Sequence, residues 1–219
     1  DGTSTATITV ELDGLLGSED INYTVSASFE DKNAGFGKTV NIDSITLTNG
    51  DGDNPGLASN YEASLETQEI LATINKVALT VELAEDLIEK VYDGNTIATL
   101  DTSNYVIFLE GAESGSGLVG DDSISITQTI GSYDNKNVKF TDVNKDTVAD
   151  DKTVSVSIIA TNYTAGEGTN LDNYELPVGN YSANVGKITQ KEVTLSAPSL
   201  SKVYDGTVDY TVTAEDLNN

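Results

Sequence analysis

The sequence predicts an all-β protein of tandem small antiparallel β-sandwich modules joined end to end, Ig-like or β-grasp-like without the helix. Three observations carry that prediction. Apolar and polar residues alternate along most of the chain, as in Ala6-Thr7-Ile8-Thr9-Val10-Glu11-Leu12, and a period of two rich in Val, Ile and Thr marks strands with one buried face. Clusters of Gly, Asn and Asp punctuate these runs, as in Asn49-Gly50-Asp51-Gly52-Asp53-Asn54-Pro55-Gly56; they make turns through positive φ and local side-chain hydrogen bonds. Finally, Lys90-Val91-Tyr92-Asp93-Gly94-Asn95 returns as Lys202-Val203-Tyr204-Asp205-Gly206-Thr207, and the chain opens with Asp1-Gly2-Thr3. Self-similarity at long spacing marks a tandem array.

The two spacings differ: 92 residues separate Asp1 from Asp93, and 112 separate Asp93 from Asp205. Landmarks nevertheless keep their order. Gly14-Leu15-Leu16-Gly17 matches Gly117-Leu118-Val119-Gly120, and Phe29-Glu30-Asp31-Lys32-Asn33 matches Tyr133-Asp134-Asn135-Lys136-Asn137. Lys38-Thr39-Val40 matches Lys152-Thr153-Val154, and Asn60-Tyr61-Glu62 matches Asn173-Tyr174-Glu175. The added length of the second copy falls at 104–116 and 138–151, which reads as two surface loops, since cores do not admit insertions.

The first module, residues 1–76, begins with the alternating run from Ala6 to Leu12. Tyr23, Val25, Ala27 and Phe29 line the next strand, Lys38 to Val40 opens another, and Ala72 to Lys76 closes the unit. The second module, residues 77–190, opens on Leu79, Val81 and Leu83, continues through Val154, Val156 and Ile158, and closes from Gly186 to Gln190. Residues 191–219 form the opening of a third copy. Ala63 to Ile74 and Glu82 to Lys90 show helical spacing, but their counterparts hold Pro177 with Gly179, and Pro198. Proline and glycine break helix interiors, so both regions are expected as strand and turn, with at most one helical turn near Leu15 to Asp20 or Ala84 to Ile88. The joints contain no Gly/Ser linker, which predicts stiff coupling. Each unit is long enough to bury a core without staples.

Composition narrows function. A net charge of −25 and no arginine among 11 basic residues repel phosphate and anionic lipid, which argues against nucleic acid and membrane partners. No run of 18 apolar residues predicts a membrane span. With no His and no Cys, His-based triads, thiol nucleophiles, disulfides and imidazole or thiolate metal sites are excluded. Carboxylate pairs capable of glycoside chemistry arise by chance among 36 acidic residues and point to nothing. The expectation is a protein that is not an enzyme and requires no cofactor.

Calcium is the one specific metal candidate. Asp142, Asn144 and Asp146, followed by Asp150, place oxygen side chains at alternate loop positions, as hard cations require. Thr147 and Thr153 stand where an EF-hand needs glycine and a bidentate glutamate, so the site is a looser β-loop. The repeated motif residues Lys90, Tyr92, Asp93, Gly94, Lys202, Tyr204, Asp205 and Gly206 read as structural, with the tyrosines packed at the seam between modules and Asp-Gly in the next turn. Lys32, Lys136 and the motif lysines are conceivable donors for an intramolecular isopeptide bond to Asn or Asp. Asn22, Asn162 and Asn180 begin formal glycosylation sequons.

The ordered set of Lys90 to Asn95, Lys202 to Thr207, residues 31–33 and 135–137, Lys38 to Val40, and the run from Asn60-Tyr61 through Ile74 to Val81 resembles the YDG/MBG-type repeats of large bacterial surface adhesins, including filamentous-haemagglutinin-like proteins. The resemblance spans nearly the whole chain. It implies an extracellular all-β module at the bacterial cell surface, serving as stalk or spacer, whose partners are the neighbouring repeats of the same chain. The alternative is an adhesion module that binds a carbohydrate or host protein through the 104–116 and 138–151 loops.

Overall fold

The turn clusters and alternating runs sort the described residues into fourteen strands. The computed structural model describes residues 2–64, 69–195 and 200–212. The first sheet joins β1 (Thr5–Ala6), β2 (Ile21–Phe29), β3 (Gly35–Asn49) and β4 (Ile70–Ile74) in sequence order, every pair antiparallel. Ten strands follow: β5 (Val77–Leu83), β6 (Ile88–Val91), β7 (Ile97–Thr99), β8 (Tyr105–Leu109), β9 (Ile124–Ile126), β10 (Ile130–Tyr133), β11 (Lys152–Ile158), β12 (Tyr163–Ala165), β13 (Tyr174–Glu175) and β14 (Gly179–Thr189). They form a five-stranded sheet β6-β14-β11-β10-β7, a three-stranded sheet β13-β5-β8 and the pair β12-β9.

The register shows how far the two halves repeat. Thr5 faces Ser28 and Ala6 faces Ala27, as Ile97 faces Ser132 and Ala98 faces Gly131. Phe29 faces Val40 as Tyr133 faces Val154. Lys38 faces Ala72 as Lys152 faces Gly186, each beside a register shift. Strand by strand, β1-β2-β3-β4 therefore reproduces β7-β10-β11-β14. The five-stranded sheet has one strand more: β6, laid parallel along β14.

Around that sheet the apolar faces close into a core. Val81 and Leu83 of β5, Ile88, Ala98, Tyr105, Ile126, Tyr133, Val154, Val156, Ile158, Tyr163 and Ile188 form one buried cluster between the layers. Burial of this kind supplies most of the stabilisation of a small sandwich. Ile21, Ala27 and Val40 are the buried apolar side chains of the first sheet among the described residues. Each ladder of named strands lies wholly on one side of the joint at 76–77. Side chains bridge that joint: Ala34 N–H donates to Asn173 Oδ1 at 2.8 Å, and the Asn170 and Asn173 amides donate to Asn33 Oδ1 at 3.2 Å.

Three expectations need correction. The five-stranded and three-stranded sheets are mixed, because β6 runs parallel to β14 and β13 parallel to β5; the first sheet and the pair β12-β9 are antiparallel as expected. The run from Ala6 to Leu12 is a strand only at its start, whereas β8 of the second copy zips onto β5. Helical turns occur at Ala58–Asn60, Thr102–Asn104, Ala160–Asn162 and Leu171–Asn173, not near residues 15–20 or 84–88. Each ends on an asparagine followed by tyrosine. In two of them that asparagine's side chain closes the turn: Asn104 Oδ1 accepts from Asp101 N–H and Asn162 Oδ1 from Ile159 N–H, both at 2.8 Å. Readings that fall on Asp1, Leu65, Ser196 to Ser199 and residues 213–219 lie outside the described residues.

Candidate functional site

The Lys-Val-Tyr-Asp-Gly segment builds the same turn twice. Lys90 Nζ donates to Asp93 Oδ1 at 2.8 Å, to Asn95 O at 3.0 Å and to Asn95 Oδ1 at 2.9 Å. Lys202 Nζ repeats this on Asp205 Oδ1, Thr207 O and Thr207 Oγ1, each at 3.0 Å, and adds Asp209 O at 2.7 Å. The aspartate in turn accepts a backbone N–H, from Asn95 at 3.1 Å and Thr207 at 2.9 Å. Gly94 and Gly206 sit at φ 87° and 76°, where a Cβ would be strained. The Lys90 amine and the Asn95 amide hold the Asp93 carboxyl below its usual range; for Asp205 the Thr207 N–H does most of this, with Lys202 second. These groups satisfy one another, so the motif is a lysine-closed turn.

What differs between the copies is the seat of the preceding strand. In β6, Ile88, Glu89, Lys90 and Val91 pair with Gly186, Lys187, Ile188 and Thr189, and Tyr92 N–H continues the ladder onto Thr189 O at 2.8 Å. Tyr133 donates its hydroxyl to Ile88 O at 2.7 Å, and Lys90 Nζ lies 5.5 Å from the centre of the Tyr133 ring. Tyr92 packs against the core of its own module, not at the seam expected for it. Tyr204 and Val203 are 92 % and 89 % exposed.

The two charged side chains buried among the described residues are both lysines, Lys38 and Lys152. They occupy equivalent register positions and make equivalent bonds. Lys38 Nζ lies 2.7 Å from Asp31 Oδ1; Lys152 Nζ lies 2.8 Å from Asp134 Oδ1 and 3.1 Å from Asn135 Oδ1. The lysine stem fills the sheet while its nitrogen ties down the Asp-Lys-Asn or Asn-Lys-Asn turn from beneath. Its hydrogen bond lowers the pKa of Asp31; burial raises that of Asp134, but Lys152 and the Asn135 N–H outweigh it and the net shift is down. Lys32 and Lys136, named as conceivable donors, are exposed instead.

The calcium candidate does not assemble. Asp142 turns both oxygens onto its own loop, accepting from Asp146 N–H at 3.2 Å and Thr147 N–H at 3.0 Å, with Lys145 at φ 61° completing the turn. Those amides, Asp146 first, lower its pKa. Asp142, Asn144, Asp146 and Asp150 form no shared cage: among the described residues no group of three or more acidic side chains converges as a metal site. Beside the other insertion, a groove of about 550 Å³ runs between Glu82, Val106, Ser114 and Asn184, with Ser114 Oγ donating to Glu82 Oε2 at 3.0 Å.

Sequence reasoning missed two devices. One is the buried lysine, signalled by the recurrence of Lys-Thr-Val after an Asp-Lys-Asn or Asn-Lys-Asn turn. The other is a set of tyrosines following the Asn-closed turns. Tyr105 donates its hydroxyl to Gln128 O at 2.6 Å, Tyr174 to Asp122 Oδ2 at 2.7 Å, Tyr61 to Glu19 Oε2 at 2.6 Å, and Tyr163 to Pro177 O. Each phenol pins a loop to the sandwich. Burial pushes Tyr105, Tyr133 and Tyr174 up to about 12, so these groups remain neutral donors at ordinary pH.

No curated protein and no solved structure shows significant similarity to the chain. The family model for the YDG domain matches residues 1–67 and 75–184, which take in β1 to β3 and the strands from β5 to most of β14. The chain belongs to the YDG domain family.

Proposed function

We propose that this protein is a non-enzymatic spacer of a large extracellular surface protein of the adhesin type, a stiff stack of YDG modules that holds a distal region away from the cell. The observation that carries this reading is the reuse of one sheet, register for register, on both sides of a joint spanned by asparagine hydrogen bonds rather than by a flexible linker. A repeated unit with short joints transmits length. The polar side chains are spent on turns: the motif lysines, the buried lysines and the tyrosine hydroxyls all bond within the framework. A charge of −25 keeps such a stack soluble and disfavours nucleic acid and anionic membrane as partners. The reading assigns it neighbouring repeats as partners and no metal.

The test is mechanical. Single molecules stretched between their termini should show module-sized unfolding steps and a contour set by the number of modules, while glycan and host-protein arrays stay silent. The groove at Glu82, Val106, Ser114 and Asn184 favours one rival, a carbohydrate-binding module. Array binding that disappears on trimming 104–116 would establish that rival and end the spacer reading.

A further inference from the structure

Around Lys152 the turn after β10 gathers three groups in the arrangement a condensation requires. The amine is buried at the start of β11, with its side chain 1 % exposed. It stands 3.1 Å from Asn135 Oδ1, the oxygen of a side-chain amide. The Asp134 carboxylate bridges the two: Oδ1 accepts from Lys152 Nζ at 2.8 Å, and Oδ2 accepts from Asn135 Nδ2 at 3.0 Å. The Asn137 N–H donates to Asn135 Oδ1 at 2.9 Å, where negative charge gathers if the amide carbon is attacked. One carboxylate therefore touches both the attacking and the leaving nitrogen. A salt bridge needs only the first of these contacts.

We propose that Lys152 and Asn135 condense into an intramolecular isopeptide bond, with Asp134 as the proton shuttle. The Lys152 ammonium gives a proton to Asp134, and the neutral amine adds to Asn135 Cγ, placing negative charge on Oδ1 against the Asn137 N–H. Asp134 passes its proton to the amide nitrogen and takes the surplus proton of the attacking one. The Cγ–Nδ2 bond breaks, ammonia departs with that last proton as ammonium, and Asp134 is left ionised. Groups fixed at this distance react far faster than the same groups free in solution. Until they react, these side chains are the salt bridge described above. The first copy is the comparison: Lys38 Nζ meets Asp31 Oδ1 at 2.7 Å, with Glu30 Oε1 at 3.8 Å. Asp31 stands where Asn135 does, but an ionised carboxylate has no amide nitrogen to expel, so the first module keeps its ion pair. Asn135 and Lys152 bracket the 138–151 insertion, and the bond gives the second module a covalent path that bypasses that loop. The proposal goes beyond the spacer reading and does not rest on it.

Intact mass spectrometry follows the reaction in the full chain. Incubated after folding at neutral pH, the chain should lose the mass of one ammonia, and protease digestion should then yield a branched peptide joining Asn135 to Lys152. Lys152→Met and Asn135→Ala should each keep the calculated mass; Asn135 is exposed, so the second change spares the fold. Asp134→Asn, which removes the shuttle, should slow the loss about a hundredfold. Three results would each overturn the proposal: a mass that never leaves the calculated value, ammonia loss that persists in Lys152→Met because the asparagine cyclises on its own backbone, or an unchanged rate in Asp134→Asn.

Discussion

Lys152 is the residue on which the second module's turn chemistry converges, and the asymmetry of its salt bridge makes a sharp prediction. The ammonium is 1 % exposed while Asp134 still reaches water. Removing the acid strands a buried charge; removing the amine leaves a carboxylate that solvent can satisfy. Asp134→Ala should therefore cost about 3 kcal/mol, and Lys152→Met, which keeps the buried stem, about 1 kcal/mol, both read from urea midpoints. The lysine-paired carboxylates also set the acid response. Asp31, Asp93, Asp134 and Asp205 have folded pKa values below their ordinary 3.8, so their contribution is complete above that value and lost as pH falls through the lowered one. Urea midpoints should be flat from pH 7 to 5 and drop only below about pH 4; a decline centred near pH 6 would contradict the assignment. For the 138–151 loop, whose carboxylate is committed to its own backbone, the melting temperature should be the same in excess calcium and in chelator. These devices were half legible in advance. The recurrence of Lys38-Thr39-Val40 was visible in the sequence, but lysine on a strand ordinarily faces solvent, and only the register with Ala72 and Gly186 shows that it turns inward. Oxygen spacing at 142–150 did not reveal which way the oxygens face: Asp142 turns its own onto the Asp146 and Thr147 N–H groups.

Among the elements, β14 does the most. It pairs antiparallel with β11 and parallel with β6, and it carries Gly186, which packs tightly against β10 and β11. A Cβ there would lie 2.8 Å from Tyr133 Cε1 and Val154 Cγ2 and 2.9 Å from Lys152 O. Gly186→Ala should therefore cost about 1–3 kcal/mol through overpacking, measured by chemical unfolding. A neutral outcome would mean that Tyr133 can swing aside and give up its bond to Ile88 O. Strand existence was largely readable from alternation, and Pro198 in the counterpart of 82–90 correctly argued against the helical spacing there. Partnering was not. Nothing local distinguishes a parallel from an antiparallel neighbour, and the run from Ala6 to Leu12 alternates as a strand should, yet its strand ends at Ala6. The four Asn-Tyr turns escaped notice because a single 3₁₀ turn leaves no periodicity; the repeated dipeptide was the signal.

At the scale of the whole molecule, the two sheets share their ladders but not their burial. The contiguous buried core belongs to residues 81–188, whereas among the described residues the first sheet has a smaller apolar interior. The modules should consequently behave as separate cooperative units of unequal stability, coupled by contacts that include those of Asn33, Asn170 and Asn173. The measurement that tests this account most directly is equilibrium unfolding of the intact chain and of two core variants, Val40→Ala in the first sheet and Ile188→Ala in the second. Two transitions are expected, with Val40→Ala lowering only the earlier one and Ile188→Ala lowering only the later one by about 2–4 kcal/mol. A single transition displaced by both substitutions would show one shared core and would contradict the repeat as the unit of this structure.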